Sequence, residues 1–206
     1  MKATSFTLPS SRLAMLAHPK KSGGLDRAAA AKSGPSEESA DQMTTKQITV
    51  QRFSVTSSKP LQAVVSRLEA LVGHPDMSGI WRDVAAAKTY PEVEQIINKV
   101  IGPSGLMEFT RYDHGQFLRK AHGAGAPGVL RLVVGNPLIM KQMVEHVPDA
   151  GSYAPVTILI DERPDGVHLS YDTMSSFLSS YGSPQAMKVA QDLDSKVEAL
   201  LNAAAS

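Results

Sequence analysis

The chain of 206 residues has a formal net charge of +1, 5% aromatic residues and no cysteine. The weak positive charge and the few stacking platforms disfavour nucleic-acid binding, and the lack of cysteine excludes disulfides, thiolate metal sites and cysteine nucleophiles. No apolar run approaches the roughly 20 residues that span a bilayer. These features predict a soluble, cytoplasmic protein without a membrane or nucleic-acid partner.

Residues 1–45 differ in composition from the rest of the chain. Ser, Ala, Gly, Pro and Lys dominate them and no apolar period persists, which predicts a disordered N-terminal extension. Several basic residues precede the first acid, Asp26, as in organelle transit peptides, although a tail without function or a misassigned start explains the segment as well. Residues 46–206 are predicted to form a single α+β domain.

The first patterned segment of this domain alternates apolar and polar residues at 48–55 and predicts a strand. An apolar stripe at helical spacing then predicts a helix over 61–72. Two further helices are predicted within 74–105, the second opened by Thr89 with a glutamate three residues on, the spacing of a capping box. Trp81, the single tryptophan, is expected to fix the first of these two helices to the rest of the domain.

Two strands follow at 106–113 and 129–134, and the glycines and proline of 114–128 predict a connection between them. Asn136 and Pro137 then resemble a phosphate-binding turn only at first sight. A phosphate loop needs several glycines and a lysine, whereas Asn followed by Pro is a helix N-cap followed by the residue best suited to the first helical position. We therefore predict the start of a short helix.

A hairpin of alternating strands at 156–161 and 167–172 is the clearest pattern in the chain, with turn residues between the two strands. Ser183 and Pro184 then cap a long helix whose apolar stripe continues to Leu201. Because the links between strands are short, the sheet should be mostly antiparallel. The fold class predicted is α+β, with a β-α-β4-α core, helices inserted after the first helix and a long C-terminal helix covering the sheet.

Four motifs occur in a fixed order: FTRYDHG, VVGNP, PDAGSYAPVTILIDERPDGVHLSYD and FLSSYG. In this order they resemble the family called domain of unknown function 302, over about 48–201 and most specifically from Phe109 to Gly182. The resemblance implies a curved antiparallel sheet gripped by helices, as in TATA-binding-protein-like folds, and no established activity. Many relatives have cysteines where this chain has Gly135 and Val156, so any thiol or metal chemistry of those relatives is absent here. The helices within 74–105 look like an addition to the family's pattern.

The candidate ligand-binding residues are polar side chains at strand ends: Asp113, His114, Asn136, Tyr171 and Asp172. A carboxylate beside an imidazole suits acid–base chemistry, although two solvated residues at the end of a strand are the simpler explanation of Asp113 and His114. Tyr171 should point toward the core or a cavity. If the strands before His114 and Asn136 are adjacent and antiparallel, those two side chains lie on the order of 17–20 Å apart and cannot share one small site. We assign no catalytic residue, metal site or cofactor.

Three functions are compatible with the sequence. The first is a binding domain, in which the sheet and the C-terminal helix enclose an apolar pocket for a small molecule and the inserted helices form a lid. The second is an enzyme that uses Asp113 and His114 as acid and base, for which no oxyanion or cofactor motif is present. The third is a structural or interaction domain that forms a homodimer.

Overall fold

In the computed structural model, the structure describes residues 43–206, and the chain from Thr45 to Ser206 forms one compact unit. Its strands are β1 (Arg52–Ser57), β2 (Met107–Asp113), β3 (Val129–Gly135), β4 (Val156–Arg163) and β5 (Gly166–Asp172). Its helices are α1 (Leu61–Leu71), α2 (Met77–Ala86), α3 (Tyr90–Asn98), α4 (Gly115–His122), α5 (Pro137–Val144), α6 (Met174–Leu178) and α7 (Pro184–Ala205). The predicted extension at 1–45 lies almost wholly outside the described residues, so it stays a prediction, as does the domain boundary at 46.

The five strands form one antiparallel sheet in the order β1-β5-β4-β3-β2. The hairpin β4–β5 lies at the centre, because its strands carry the most regular alternation and pair with a neighbour on both sides. The late strand β5 accepts β1 at its free edge, which brings the start of the domain beside its second half. The predicted α+β class and antiparallel sheet are confirmed.

One face of the sheet carries the main hydrophobic core. Alternate residues of the three central strands are buried there: Leu132, Val134, Val156, Ile158, Ile160, Val167, Leu169 and Tyr171. Helices α1 and α7 pack together with this face through Val64, Val65, Leu68, Leu193, Val197, Leu200 and Leu201. Each such aliphatic side chain contributes about 1.5–3 kcal/mol when fully buried. The predicted long C-terminal helix is therefore docked along its apolar stripe.

Helices α2 and α3 have a small core of their own. Ile80, Ile97 and Met107 are buried in it, and Phe109 and Leu138 pack at its border. This cluster attaches the inserted helices to β2 and α5. Trp81, which was expected to do so, is 46% exposed, and its ring lies 6.1 Å from that of Phe109 on β2, so it contributes to this attachment at the surface.

Three local predictions differ from the structure. The connection at 114–128 contains helix α4. The sequence did not predict this helix, because the connection has four glycines and the helix has too few apolar residues to show a stripe. Strand β1 begins at Arg52 rather than at 48, since only from there does the chain pair with β5. Helix α6 was not predicted, because its five residues are too short to establish a helical period.

Candidate functional site

The pair Asp113 and His114 does not form a hydrogen-bonded dyad. The Asp113 carboxylate accepts a hydrogen bond from the backbone N–H of Gln116, which caps α4, and forms an ion pair with Arg119. His114 is exposed, and its ring stacks on Tyr112 with centroids 6.1 Å apart. Asp113 therefore serves helix α4, and nothing in this geometry fixes the tautomer of the imidazole.

Asn136 holds the start of α5, as the sequence predicts. Its Oδ1 accepts from the N–H of Leu138 at 2.9 Å, and its Nδ2 donates to the carbonyl of Gly105 at 3.0 Å. The side chain thus ties α5 to the loop before β2. Both polar ends of the amide are engaged by the protein, which leaves little hydrogen-bonding capacity for a ligand.

Tyr171 is a core residue whose hydroxyl is fully satisfied. It donates to Oδ1 of Asp194 at 2.6 Å and accepts from the N–H of Met174 at 3.0 Å. Asp194 also accepts from the N–H groups of Met174 and Ser175, which caps the first turn of α6. Burial, followed by the charge of Asp194 and the hydrogen bond to it, raises the pKa of Tyr171 well above its ordinary value. Asp194 is the polar residue of α7 that the sequence pattern did not single out, since it lies inside an apolar stripe.

Asp172 pairs with Arg52 across β5 and β1, with hydrogen bonds of 2.6 and 2.8 Å. Of the five predicted residues, the structure brings only the neighbours Tyr171 and Asp172 to one concavity and does not assemble the other three with them. In the β2–β3 register, Asp113 faces Leu130 whereas Gly135 faces Met107, so His114 and Asn136 follow opposite ends of the strand pair. The expected separation of these two residues is present.

A cleft lies where α2, α5 and the start of β4 meet the end of β3. It encloses about 210 Å³, and we call it the apolar cleft. Its main lining residues are Trp81, Phe109, Ile139, Met140, Met143 and Pro155. The rings of Trp81 and Phe109 pack against each other at the opening of the cleft, with ring centroids 6.1 Å apart.

The chemistry of the apolar cleft is uniform. None of its lining residues is titratable, and Asn136, its one polar side chain, is already engaged. The wall is tight at Gly135, because a Cβ at this position would lie only 3.1 Å from the Cβ of Pro155. Gly135 and Val156, the positions where the resemblance places cysteines in relatives, both line this cleft. It can hold an apolar group but offers no nucleophile, acid or base.

A second concavity of about 420 Å³ lies on the other side of the segment Pro155–Val156, over the face of the sheet that is turned away from α7. We call it the open-face groove. Its main lining residues are Arg52, Arg131, Thr157, Leu159, Ser170 and Phe177. In contrast to the apolar cleft, this groove mixes charged, hydroxyl and apolar side chains.

Two other features are absent from residues 43–206. No group of three or more acid or histidine side chains gathers there as metal ligands. No helix in that part of the chain combines the length and apolarity needed to cross a membrane.

The sequence pointed to polar residues at strand ends, whereas the apolar cleft is lined by apolar residues of α2, α5 and the loop before β4. Nothing in the sequence places Trp81 of α2 and Met140 of α5 in one cavity. The one sequence motif that points to the cleft is Gly135-Asn136-Pro137, which follows β3 and lines the cleft.

Comparison with known proteins gives one family and one fold. The family model described as "Domain of unknown function DUF302" matches residues 82–204. The match begins inside α2, so it includes α3, and whether the segment 74–105 is an addition to the family stays a prediction. The crystal structure of an uncharacterized conserved protein DUF302 from Bacillus stearothermophilus aligns with a TM-score of 0.52 and 12% identity, over 74% of this chain and 97% of that one. At this identity it shows the fold alone. No curated protein matches the chain.

Proposed function

Since the chain belongs to the DUF302 family, whose description names no activity, we propose from its geometry that the protein binds a small, uncharged apolar molecule in the apolar cleft. The observation that carries this proposal is the lining: a cavity of about 210 Å³ surrounded by aromatic, methionine and aliphatic side chains, without a titratable group. Pockets for small molecules are concave and mostly apolar, with few polar groups that fix orientation.

Trp81 and Met140 supply the adaptable part of the cleft. Trp81 is half exposed at the mouth, where an incoming ligand would cover it, and this is the one lining contribution of the inserted helices. Methionine side chains adjust their shape at low cost, so Met140 and Met143 can accommodate ligands that differ in outline. The hypothesis of a lid over the pocket thus reduces to one side chain on α2.

An acid–base enzyme is a weaker proposal. The residues that would carry it, Asp113 and His114, form no hydrogen bond with each other and lie at the end of β2 that is remote from the cleft. A homodimeric interaction domain is a third proposal, and native mass spectrometry of the purified protein distinguishes it from the first. A dimer mass without a co-purified small molecule would favour it.

The binding proposal is tested with a series of straight-chain alcohols from butanol to octanol, titrated into the full chain while the fluorescence of Trp81 is recorded. Trp81 is the single tryptophan, so the signal reports on the cleft. Each added methylene should tighten binding roughly fourfold until the cleft is full, because burying one CH₂ contributes about 0.8 kcal/mol. Octanoate should bind more weakly than octanol, since the cleft holds no cation for its carboxylate.

The variant Met140→Trp, followed by calorimetry, should block the cleft and weaken octanol binding at least tenfold. Met187→Trp is the matched control, because Met187 is a half-buried methionine of α7 that does not line the cleft. Octanol affinity that is independent of chain length, or that changes equally in the two variants, would contradict the proposal.

A further inference from the structure

The second face of the sheet has an organised pattern of side chains that the apolar cleft does not use. Residues alternate along each strand, so those between the core positions point away from α1 and α7. On the edge strands they are exposed: Ser54 and Thr56 on β1, and Thr110 and Tyr112 on β2. Toward the centre the face becomes partly buried, and Ser170 is only 7% exposed. The open-face groove lies over this sheltered centre.

The strand register arranges the floor of the groove. Ser170 faces Leu159 across β5 and β4, and Leu159 faces Arg131 across β4 and β3. These three side chains form one row, in which a hydroxyl and a guanidinium flank an apolar residue. Because neighbouring strands lie about 4.8 Å apart, the Cα atoms of Ser170 and Arg131 are roughly 10 Å apart. That separation suits the length of a small organic molecule.

The two arginines of the groove differ in how they are neutralised. Arg52 forms two hydrogen bonds with the Asp172 carboxylate. Arg131 has no carboxylate partner among residues 43–206; its Nη2 lies 3.4 Å from Oγ1 of Thr157, and its guanidinium sits 5.8 Å from the ring centre of Tyr112. A guanidinium carries five N–H donors, most of which are therefore open. The groove holds one uncompensated positive charge.

The remaining polar and apolar groups complete the pattern. Among residues 43–206 no hydrogen bond reaches the hydroxyl of Ser170; the fully enclosed unpaired hydroxyl there is that of Thr173, so the Ser170 hydroxyl keeps access to the groove although the residue is nearly buried. Tyr153 and Phe177 stand at one wall, stacked with ring centroids 4.6 Å apart. The groove thus combines a cation, the unpaired hydroxyl of Ser170 and a flat apolar surface.

We propose that the open-face groove binds a small organic anion, whose carboxylate or phosphate group contacts Arg131 and Thr157 and whose flat apolar body lies over Leu159. Guanidinium groups bind both kinds of anion through two parallel hydrogen bonds. Leu159 and the Tyr153–Phe177 wall give the body of the ligand an apolar contact, and Ser170 can hydrogen-bond a second polar group at its far end. This site is separate from the apolar cleft, and it does not depend on the function proposed for that cleft.

The test uses calorimetric titration of the full chain with benzoate, phenyl phosphate, benzamide and inorganic phosphate. Benzoate, phenyl phosphate or both should bind, and the tighter of the two identifies the carboxylate or the phosphate monoester as the preferred source of the anion. Benzamide, which has the shape of benzoate without its charge, should bind roughly ten- to a hundredfold more weakly than benzoate. Inorganic phosphate should bind more weakly than phenyl phosphate, because it lacks the apolar body.

The variant Arg131→Met keeps the length of the side chain and removes its charge. It should weaken binding of the aromatic anion at least tenfold, whereas Arg163→Met should leave it within twofold. Arg163 is the matched control, since it also lies on the sheet but pairs with Asp161 and does not line the groove. A second variant, Leu159→Ala, should weaken the aromatic anion but not inorganic phosphate.

Three results would overturn the proposal. The first is no binding of either aromatic anion, as expected if another copy of the chain or another segment covers the groove. The second is equal binding by wild type and Arg131→Met, with circular dichroism showing that both are folded. The third is complete displacement of benzoate by saturating octanol, which would place the anion in the apolar cleft. Retention of benzoate under saturating octanol supports two separate sites.

Discussion

The buried hydrogen bond between Tyr171 and Asp194 provides a quantitative test of how the sheet and the C-terminal helix are joined. Tyr171→Phe removes a hydroxyl that donates to a carboxylate inside the core, at 2.6 Å. Hydrogen bonds to charged groups contribute about 1.5–3 kcal/mol. In this variant the Asp194 carboxylate still accepts hydrogen bonds from the backbone N–H groups of Met174 and Ser175, so it is not left unpaired in the core. We expect the free energy of unfolding to fall by about 2 kcal/mol, and the melting temperature by about 4–8 °C.

Urea denaturation followed by circular dichroism measures this loss, and a double-mutant cycle isolates the pair. Asp194→Asn should cost about 3 kcal/mol, because an amide NH₂ would then face the N–H of Ser175 and the negative charge is lost. The two single changes should not add, and we expect a coupling energy of at least about 1 kcal/mol, since Asp194→Asn removes the charge that strengthens the hydrogen bond from Tyr171, and Tyr171→Phe removes that bond altogether. Additivity within about 0.3 kcal/mol would refute the reasoning.

The pH dependence of the free energy of unfolding tests the same hydrogen bond independently. The pKa of Tyr171 is raised in the native protein by burial and by Asp194, whereas a tyrosine in the unfolded chain has a pKa of about 10. The stability from this group is therefore fully present below about pH 10 and declines above it, by up to about 1.4 kcal/mol per pH unit. The wild-type advantage over Tyr171→Phe should disappear between about pH 11 and 12. The hydrogen bond with Tyr153 raises the pKa of Tyr181 to about 12, but Tyr181 is present in both proteins and cancels. A constant difference from pH 7 to 11.5 would contradict this account.

Three further changes test other parts of the fold and the site. Gly73→Ala should lower the free energy of unfolding by about 2 kcal/mol or more in urea denaturation, because its Cβ would overlap a backbone carbonyl, whereas Gly125→Ala, with nothing within 4 Å, should be neutral or stabilising by up to about 1 kcal/mol. Asn136→Ala should cost about 1.5–3 kcal/mol in the same assay, through the lost cap and the lost bond to the loop before β2. His114→Ala should change neither the melting temperature nor octanol affinity by more than experimental error, because the imidazole is exposed and lies away from the apolar cleft. Loss of octanol binding in this last variant would contradict the prediction and show that His114 contributes to the binding site.

Several elements of the fold were determined locally and could be predicted from the sequence. The alternation in β4 and β5, with turn residues between them, specifies a hairpin with one buried face, because a slip of one residue would expose every core side chain. Asn136 and Ser183 accept hydrogen bonds from the first turns of α5 and α7, as N-cap residues do wherever a helix begins. Neither feature depends on distant parts of the chain.

The tertiary structure alone decided which residues meet. The start of strand β1 was displaced because it depends on pairing with β5, about 120 residues away in sequence. The apolar cleft depends on α2, α5 and the start of β4 converging, and periodicity shows that a residue is apolar without showing whether it fills a core or lines a cavity. The strand register likewise places Arg131 beside Leu159 and Ser170, a combination that no short motif in the chain contains.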